Sequence, residues 1–227
     1  MNDWTIDERN HAGREHIEEE AVQSYDERAP FDPSREVELL QSYGIGAEDI
    51  VVDVGSGTGV FAVAMASHCK QVVGIDVSET MISKARNRAE SVANVRFINT
   101  GIIAYEHDSP EVAAVFSRNT LHHLPAFWKG EAVKQIAMML EPGGIFRYRD
   151  ITYSFNPWES TGQIDGWIDS LVSAGMDRDT AISHVQEEYS QYAISIEALL
   201  EVVGFEIIDY TYHDDIYAYY TCRWPGR

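Results

Sequence analysis

Three closely spaced glycines flanked by two acids form the most chemically suggestive pattern in the chain. In Val51-Val52-Asp53-Val54-Gly55-Ser56-Gly57-Thr58-Gly59 an apolar run enters a glycine turn, and alanine-rich residues 60–66 continue it as a helix. Glycine tolerates positive φ and has no Cβ, so backbone N–H groups at such a turn can approach a ligand closely. Dinucleotide-binding turns use G-x-G-x-x-G to bring those groups to a pyrophosphate. Here the spacing is G-x-G-x-G, and Val60 stands where the third glycine of that pattern would be. Asp53, two residues before Gly55, suits a ligand with an ammonium group better than a diphosphate. A second acid, Asp76, closes Val73-Gly74-Ile75-Asp76, 21 residues after Gly55. A carboxylate at that strand end can accept both hydroxyls of a ribose, and Ser78 suits the N-cap of the next helix. Each feature alone fits a plain turn or strand end. Their succession points to a nucleoside ligand.

A second group follows the fourth and fifth apolar runs. Arg118, Asn119, His122 and His123 come first. Imidazole titrates near neutrality, which makes His122 or His123 a candidate general base, with a structural role as the alternative. Adjacent histidines chelate poorly when their side chains diverge, so no metal site is expected. Next come Arg147, Tyr148, Arg149, Asp150 and Tyr153. Strand alternation puts Arg147 and Arg149 on one face, Tyr148 and Asp150 on the other. The arginines either receive an acidic acceptor or pair with nearby carboxylates. Arg118, Arg149, Asp150 and Tyr153 are the candidates for an acceptor pocket. Phe127, Trp128, Trp158 and Trp167 offer either an aromatic wall or ordinary core. His213-Asp214-Asp215 reads as hairpin-turn chemistry.

These residues need a scaffold. The 227 residues suit one large domain, or one domain with additions. Short apolar runs at 50–54, 72–76, 95–99, 113–117 and 145–150 alternate with helical patterns at 60–69, 79–89 and 125–140. That alternation predicts a mostly parallel sheet with helices on both faces. Residues 1–45 are acidic and helical in pieces, ending in a helix from about Asp32 to just before Gly44. Residues 154–190 interrupt the rhythm with helices around 164–172 and 179–189. Ser195 is placed to cap a helix ending at Gly204. Strands at 205–212 and 216–222 follow, antiparallel because their connection is short.

Net charge is −20. Such a field repels phosphate backbones and anionic membranes, and the densest basic stretch, Lys84, Arg86 and Arg88, fits one helix face. No apolar run nears the length of a membrane span. The acidic start lacks the order of a signal peptide. Cys69 and Cys222 show no metal or redox spacing, and a reduced, cytoplasmic setting is expected.

DVGSGTG at 53–59, GIDVSETMISKAR at 74–86, LEPGGIFRYRD at 140–150 and GFEIIDYTYHDDIYAYYTC at 204–222 resemble motifs of class I S-adenosylmethionine-dependent methyltransferases. The resemblance spans roughly residues 25–223. It implies an α/β, Rossmann-like doubly wound sheet of seven strands, ordered 3-2-1-4-5-7-6, with the last strand antiparallel and helical lid segments at 1–45 and 154–190. It also implies S-adenosyl-L-methionine as cofactor and S-adenosyl-L-homocysteine as product. Asp53, Gly55, Ser56, Gly57 and Gly59 would then surround the methionine end. Asp76 would hold the ribose, Val77 and Met81 would pack on adenine, and Tyr25 would approach the sulfonium. Members of this family often carry an acid after strand three for the adenine amine. Here Phe97–Ile103 has none, leaving backbone near Gly101 and Ile102 for that contact. Arg118 would serve both cofactor and acceptor, and His123, Arg149 and Tyr153 would serve the acceptor. The expected partner is a small-molecule methyl acceptor, not nucleic acid or membrane, for a monomer or homodimer. A dinucleotide-dependent oxidoreductase and a non-catalytic cofactor-binding module remain the alternatives.

Overall fold

The computed structural model describes residues 3–107 and 111–227. It opens with a 3-10 turn at Glu8–His11 and three short helices, α1 (Arg14–Ile17), α2 (Glu19–Gln23) and α3 (Tyr25–Arg28). Helix α4 (Ser34–Ser42) starts after Pro33, where the Asp32 carboxylate accepts the Ser34 N–H. Gly44, just past its end, takes φ +97°, the left-handed stop that glycine provides.

The sheet then builds outward from β1 (Ile50–Val54). Its β-branched residues are buried on both faces, as a central parallel strand requires. Helix α5 (Val60–Ala66), strand β2 (Gln71–Asp76), helix α6 (Glu79–Arg88), strand β3 (Val95–Asn99) and strand β4 (Val112–Arg118) follow. Ser78 caps α6 as expected, its hydroxyl accepting the Met81 N–H at 3.2 Å. A 3-10 turn at Leu121–His123 leads into α7 (Ala126–Met139), and β5 (Leu140–Tyr153) runs back beside β4. Helices α8 (Ser160–Ser173) and α9 (Arg178–Gln186) form the segment that breaks the alternation. They lead through a two-residue strand β6 (Gln191–Tyr192) to α10 (Ala193–Val203), β7 (Glu206–His213) and β8 (Tyr217–Arg223).

The order is β3-β2-β1-β4-β5-β8-β7, with β6 alongside β5. Setting the short β6 aside, this is the expected order, and only β8 runs against its neighbours. Two details differ from expectation. Helix α10 begins at Ala193, not at a Ser195 cap, because β6 pairs with the end of β5 and hands the chain directly into the helix. Strand β6 itself is two residues long, too short for a periodicity to reveal.

One core cluster lies between the sheet and α7 and α10, the other between the sheet and α4, α5 and α6. A third, smaller cluster of Ile151, Phe155, Trp167 and Ile216 seats α8 on the far end of β5. Register fixes the site: Asp53 lies beside Gly74, and Arg118 beside Arg149, at the carboxyl ends of adjacent strands.

Candidate functional site

The turn after β1 is tight because its N–H groups fold back onto the neighbouring strand. Gly55 and Ser56 both donate to the Ile75 carbonyl, at 2.9 and 3.0 Å. Asp76 extends the same tie: its Oδ2 accepts the Gly57 N–H at 2.9 Å and its Oδ1 the Ser78 N–H at 2.8 Å. Gly57 takes φ +51°, and a Cβ there would enter open space. Gly55 takes φ +70°, and a Cβ would lie 2.0 Å from Thr120 Oγ1. Gly59 has a different job. Its Cβ would collide with Phe97 at 2.7 Å, so this glycine permits packing of the α5 start on β3 and lines neither of the cavities described next.

Two adjoining cavities share Tyr25, Gly55, Gly57 and Arg118. Asp76, Val77, Met81 and Ile102 line the first, together with His16 and His123. Asp53, Ser56, Thr58 and Phe31 line the second. Asp53 is buried and its Oδ2 has no hydrogen-bond partner among the described residues. Burial, reinforced by the charge of Asp76, pushes its carboxyl up to about 8. Ser56 Oγ and Asn119 Oδ1 are likewise buried without partners. Burying such groups unpaired is costly. Three of them around one glycine turn therefore mark a place built to be completed by a polar ligand.

The N-terminal segment closes over the first cavity. Tyr25 stands 5.5 Å, ring to ring, from His16, and Arg118 lies 4.3 Å from the Phe31 ring centroid. Glu8, missed by sequence reasoning, accepts the Ile103 N–H at 3.0 Å, and burial pushes its carboxyl up to about 7. It brings a carboxyl to the segment after β3 from 95 residues away, and no local pattern announces it. His16 was missed for the same reason.

Behind His123, the Leu121–His123 turn is fastened to β5. The His122 N–H donates to Asp150 Oδ2 at 3.0 Å, the His122 Nδ1 pairs with Asp150 Oδ1, and the Tyr148 hydroxyl donates to Oδ2 at 3.0 Å. Burial opposes the charge on Asp150, but His122 and these bonds outweigh it and hold the carboxyl below its usual range. Burial and neighbouring His122 hold His123 well below the usual histidine range. Sequence reasoning expected the two imidazoles to diverge. Instead, the tight turn sets their ring centroids 4.1 Å apart.

The two arginines differ: one pairs with a carboxylate and the other does not. Arg147 pairs with Glu36 of α4, Nε to Oε2 at 2.6 Å. Arg149 finds no carboxylate: its Nε and Nη1 are buried without partners among the described residues, and its guanidinium lies 4.2 Å from the Tyr217 ring centroid. It stands behind Arg118 and lines neither cavity. Tyr153 packs against Phe155 and Tyr192, also outside them. The aromatic wall does not form. Phe127 and Trp158 are exposed, Trp128 stacks on Trp4, and Trp167 is buried, donating to the Tyr217 hydroxyl. His213-Asp214-Asp215 is a turn, with two successive residues at φ +53° and +54°.

Residues 51–144 match the family model described as methyltransferase domain. This stretch holds the glycine turn, Asp76 and the histidine turn. By that match residues 51–144, less than half of the chain, are similar to a methyltransferase domain. Over 114 residues the chain is 28% identical to a carboxy-S-adenosyl-L-methionine synthase of Nautilia profundicola, covering 49% of this chain and 47% of that protein. Over 162 residues it is 27% identical to a ubiquinone biosynthesis O-methyltransferase of Coxiella burnetii, covering 71% and 65%. The chain thus spans about half to two-thirds of the length of these curated relatives. Its fold matches Haemonchus contortus phosphoethanolamine N-methyltransferase 2, solved with S-adenosyl-L-methionine, at TM-score 0.75 and 16% identity, over 100% of this chain and 62% of that one. Glu8, His16, Tyr25, Arg147 and Arg149 lie outside the stretch matched to the methyltransferase domain.

Proposed function

We propose that the chain binds S-adenosyl-L-methionine across the two cavities and transfers its methyl group to a small-molecule acceptor. The observation that carries this is Asp53: a buried carboxyl with a partnerless oxygen at an open glycine turn, suited to an ammonium. Asp76, already oriented by two N–H groups, keeps lone pairs for the ribose hydroxyls. Val77, Met81 and Ile102 give adenine an apolar slot, and Glu8 stands where the exocyclic amine would arrive. Gly55, Ser56 and Gly57 bring the backbone to the methionine end, and Tyr25 and Arg118 divide the two halves. Bound there, the cofactor supplies a methyl carbon already activated by a sulfonium, open to in-line displacement. What the chain contributes is placement and exclusion of water. The N-terminal segment, which lines both cavities, acts as the lid, and residues 154–190 line neither. A cavity roofed by the N-terminal segment suits a small acceptor, approaching past Arg118 and His123, with Arg149 behind them. His123 lines the cavity beside Arg118, on the path by which the acceptor would approach.

Calorimetry tests this reading. S-adenosyl-L-homocysteine should bind with one site per chain, whereas NAD(P) should not; the reverse preference would support an oxidoreductase. Asp76→Ala should weaken S-adenosyl-L-homocysteine binding by about 1–3 kcal/mol, the worth of a charge-assisted bond. Unchanged affinity would remove Asp76 from the site.

A further inference from the structure

Next to the cavity that His16 and His123 line, three side chains from two segments converge. One ring nitrogen each of His122 and His123 and a Glu188 oxygen all lie within 4.8 Å of one another. The His122 Nδ1 is engaged by Asp150, which directs Nε2 at Glu188. Glu188 Oε1 is engaged by His184 Nδ1 at 2.6 Å, which directs Oε2 back at His122. The two inward atoms stand 3.4 Å apart, and Oε2 has no hydrogen-bond partner among the described residues although its side chain is more than nine-tenths buried. A backbone bond from the Tyr189 N–H to the His122 carbonyl, 2.8 Å, pins the two segments together, and the Lys129 amine holds the Tyr189 carbonyl.

Nε2 and Oε2 face each other across a gap that one cation can bridge. Two bonds of about 2.1 Å from a tetrahedral metal ion span an edge of about 3.4 Å. Asp150 behind His122 is the carboxylate–histidine arrangement that orients a ligating imidazole. We propose that His122, His123 and Glu188 bind one divalent first-row transition-metal ion at the carboxyl ends of β4 and β5. Asp150 and His184 are positioning residues. Two imidazoles and a carboxylate suit zinc, iron or cobalt and do not suit calcium, which takes six to eight oxygens. The site stands on its own residues and does not depend on the cofactor reading.

The test uses the full untagged chain, stripped of metal and titrated with Co2+, read by visible absorption and by equilibrium dialysis with elemental analysis. The expected result is one ion per chain and broadening of the His122 and His123 ring resonances. Glu188→Gln and His123→Asn should each weaken Co2+ binding at least tenfold, and Asp150→Asn about 10–100-fold. His213→Ala, at the exposed hairpin, should change nothing. Absence of stoichiometric uptake by the wild-type chain overturns the proposal, as does a doubly protonated His122 in the presence of Co2+. So does uptake that survives Glu188→Gln, or that disappears with His213→Ala. S-adenosyl-L-homocysteine affinity, measured on the same samples, keeps the two readings apart. Ligand binding without metal uptake ends only the metal site, and uptake without ligand binding ends only the cofactor reading.

Discussion

Asp53 is the residue on which the proposed cofactor chemistry turns, and its protonation gives that chemistry a pH dependence. Its carboxyl, raised from 3.8 to about 8 by burial and by Asp76, is mostly neutral at pH 7 before ligand binds. An ammonium in the site favours the ionised form. Binding of S-adenosyl-L-homocysteine at pH 7 should therefore release close to one proton, and affinity should rise toward pH 8. Heats measured in two buffers of different ionisation enthalpy check this; identical heats would leave Asp53 out of the site. Folding alone carries the opposite sign. The folded carboxyl holds a proton that the unfolded chain has released, so Asp53 contributes stability below about pH 4 that is lost as pH rises through about 8. In the ligand-free protein, Asp53→Asn should flatten that decline in a series of thermal melts. Both acids of the glycine motif were legible in the sequence because motif and strand end are local. Glu8, His16 and Glu188 were not. Each reaches its place through tertiary packing, and nothing in the spacing of residues around it differs from an ordinary acidic helix or turn.

At the scale of elements, the contact of α4 with the sheet joins buried Val37 and Leu40 to a charge pair inside the core. Glu36 and Arg147 are both nearly inaccessible; Arg147 Nε and Nη2 reach the two carboxylate oxygens at 2.6 and 3.2 Å, and Nη1 reaches Thr221 Oγ1 at 3.1 Å. Removing one partner strands a buried charge. Glu36→Gln should accordingly cost about 3–5 kcal/mol in denaturant unfolding, far more than an exposed pair. A loss below about 1 kcal/mol would show that water reaches Arg147. Sequence alternation placed Arg147 and Arg149 on one face and allowed carboxylate pairing for both. It could not distinguish them, because only the position of α4 decides which guanidinium meets Glu36. The strand order was legible from the alternation of apolar runs and helices together with the family motifs. The start of α10 was not, since it depends on a two-residue pairing with the end of β5.

The whole molecule is a sheet whose open end is covered by a segment latched to α6 through a few polar ties. The Ser78 hydroxyl donates to the His16 carbonyl at 2.5 Å, Thr80 to that of Ile17 at 3.2 Å, and Lys84 Nζ to those of Val22 and Gln23 at 3.1 and 3.0 Å. Asp26 joins them, accepting from Thr58 at 2.6 Å and from Arg88 at 2.6 Å, with Lys84 Nζ 3.0 Å away. The basic stretch that stood out in an acidic sequence is thus committed largely to holding the chain's own N-terminal segment. These are part-exposed interactions, individually worth about 0–1 kcal/mol, and only Val22 among residues 14–30 is buried hydrophobic core. A cover held in this way should open without global unfolding. Lys84→Ala should leave the unfolding free energy within about 1 kcal/mol of wild type. It should nevertheless speed proteolysis within residues 12–30 and raise the dissociation rate of S-adenosyl-L-homocysteine about two- to fivefold, the kinetic equivalent of losing about 0.5–1 kcal/mol from the closed state. Saturating ligand should restore protection by holding Tyr25, His16 and Glu8 against the cavity they line. Proteolysis that is equally fast with and without ligand would show that the segment does not act as the lid.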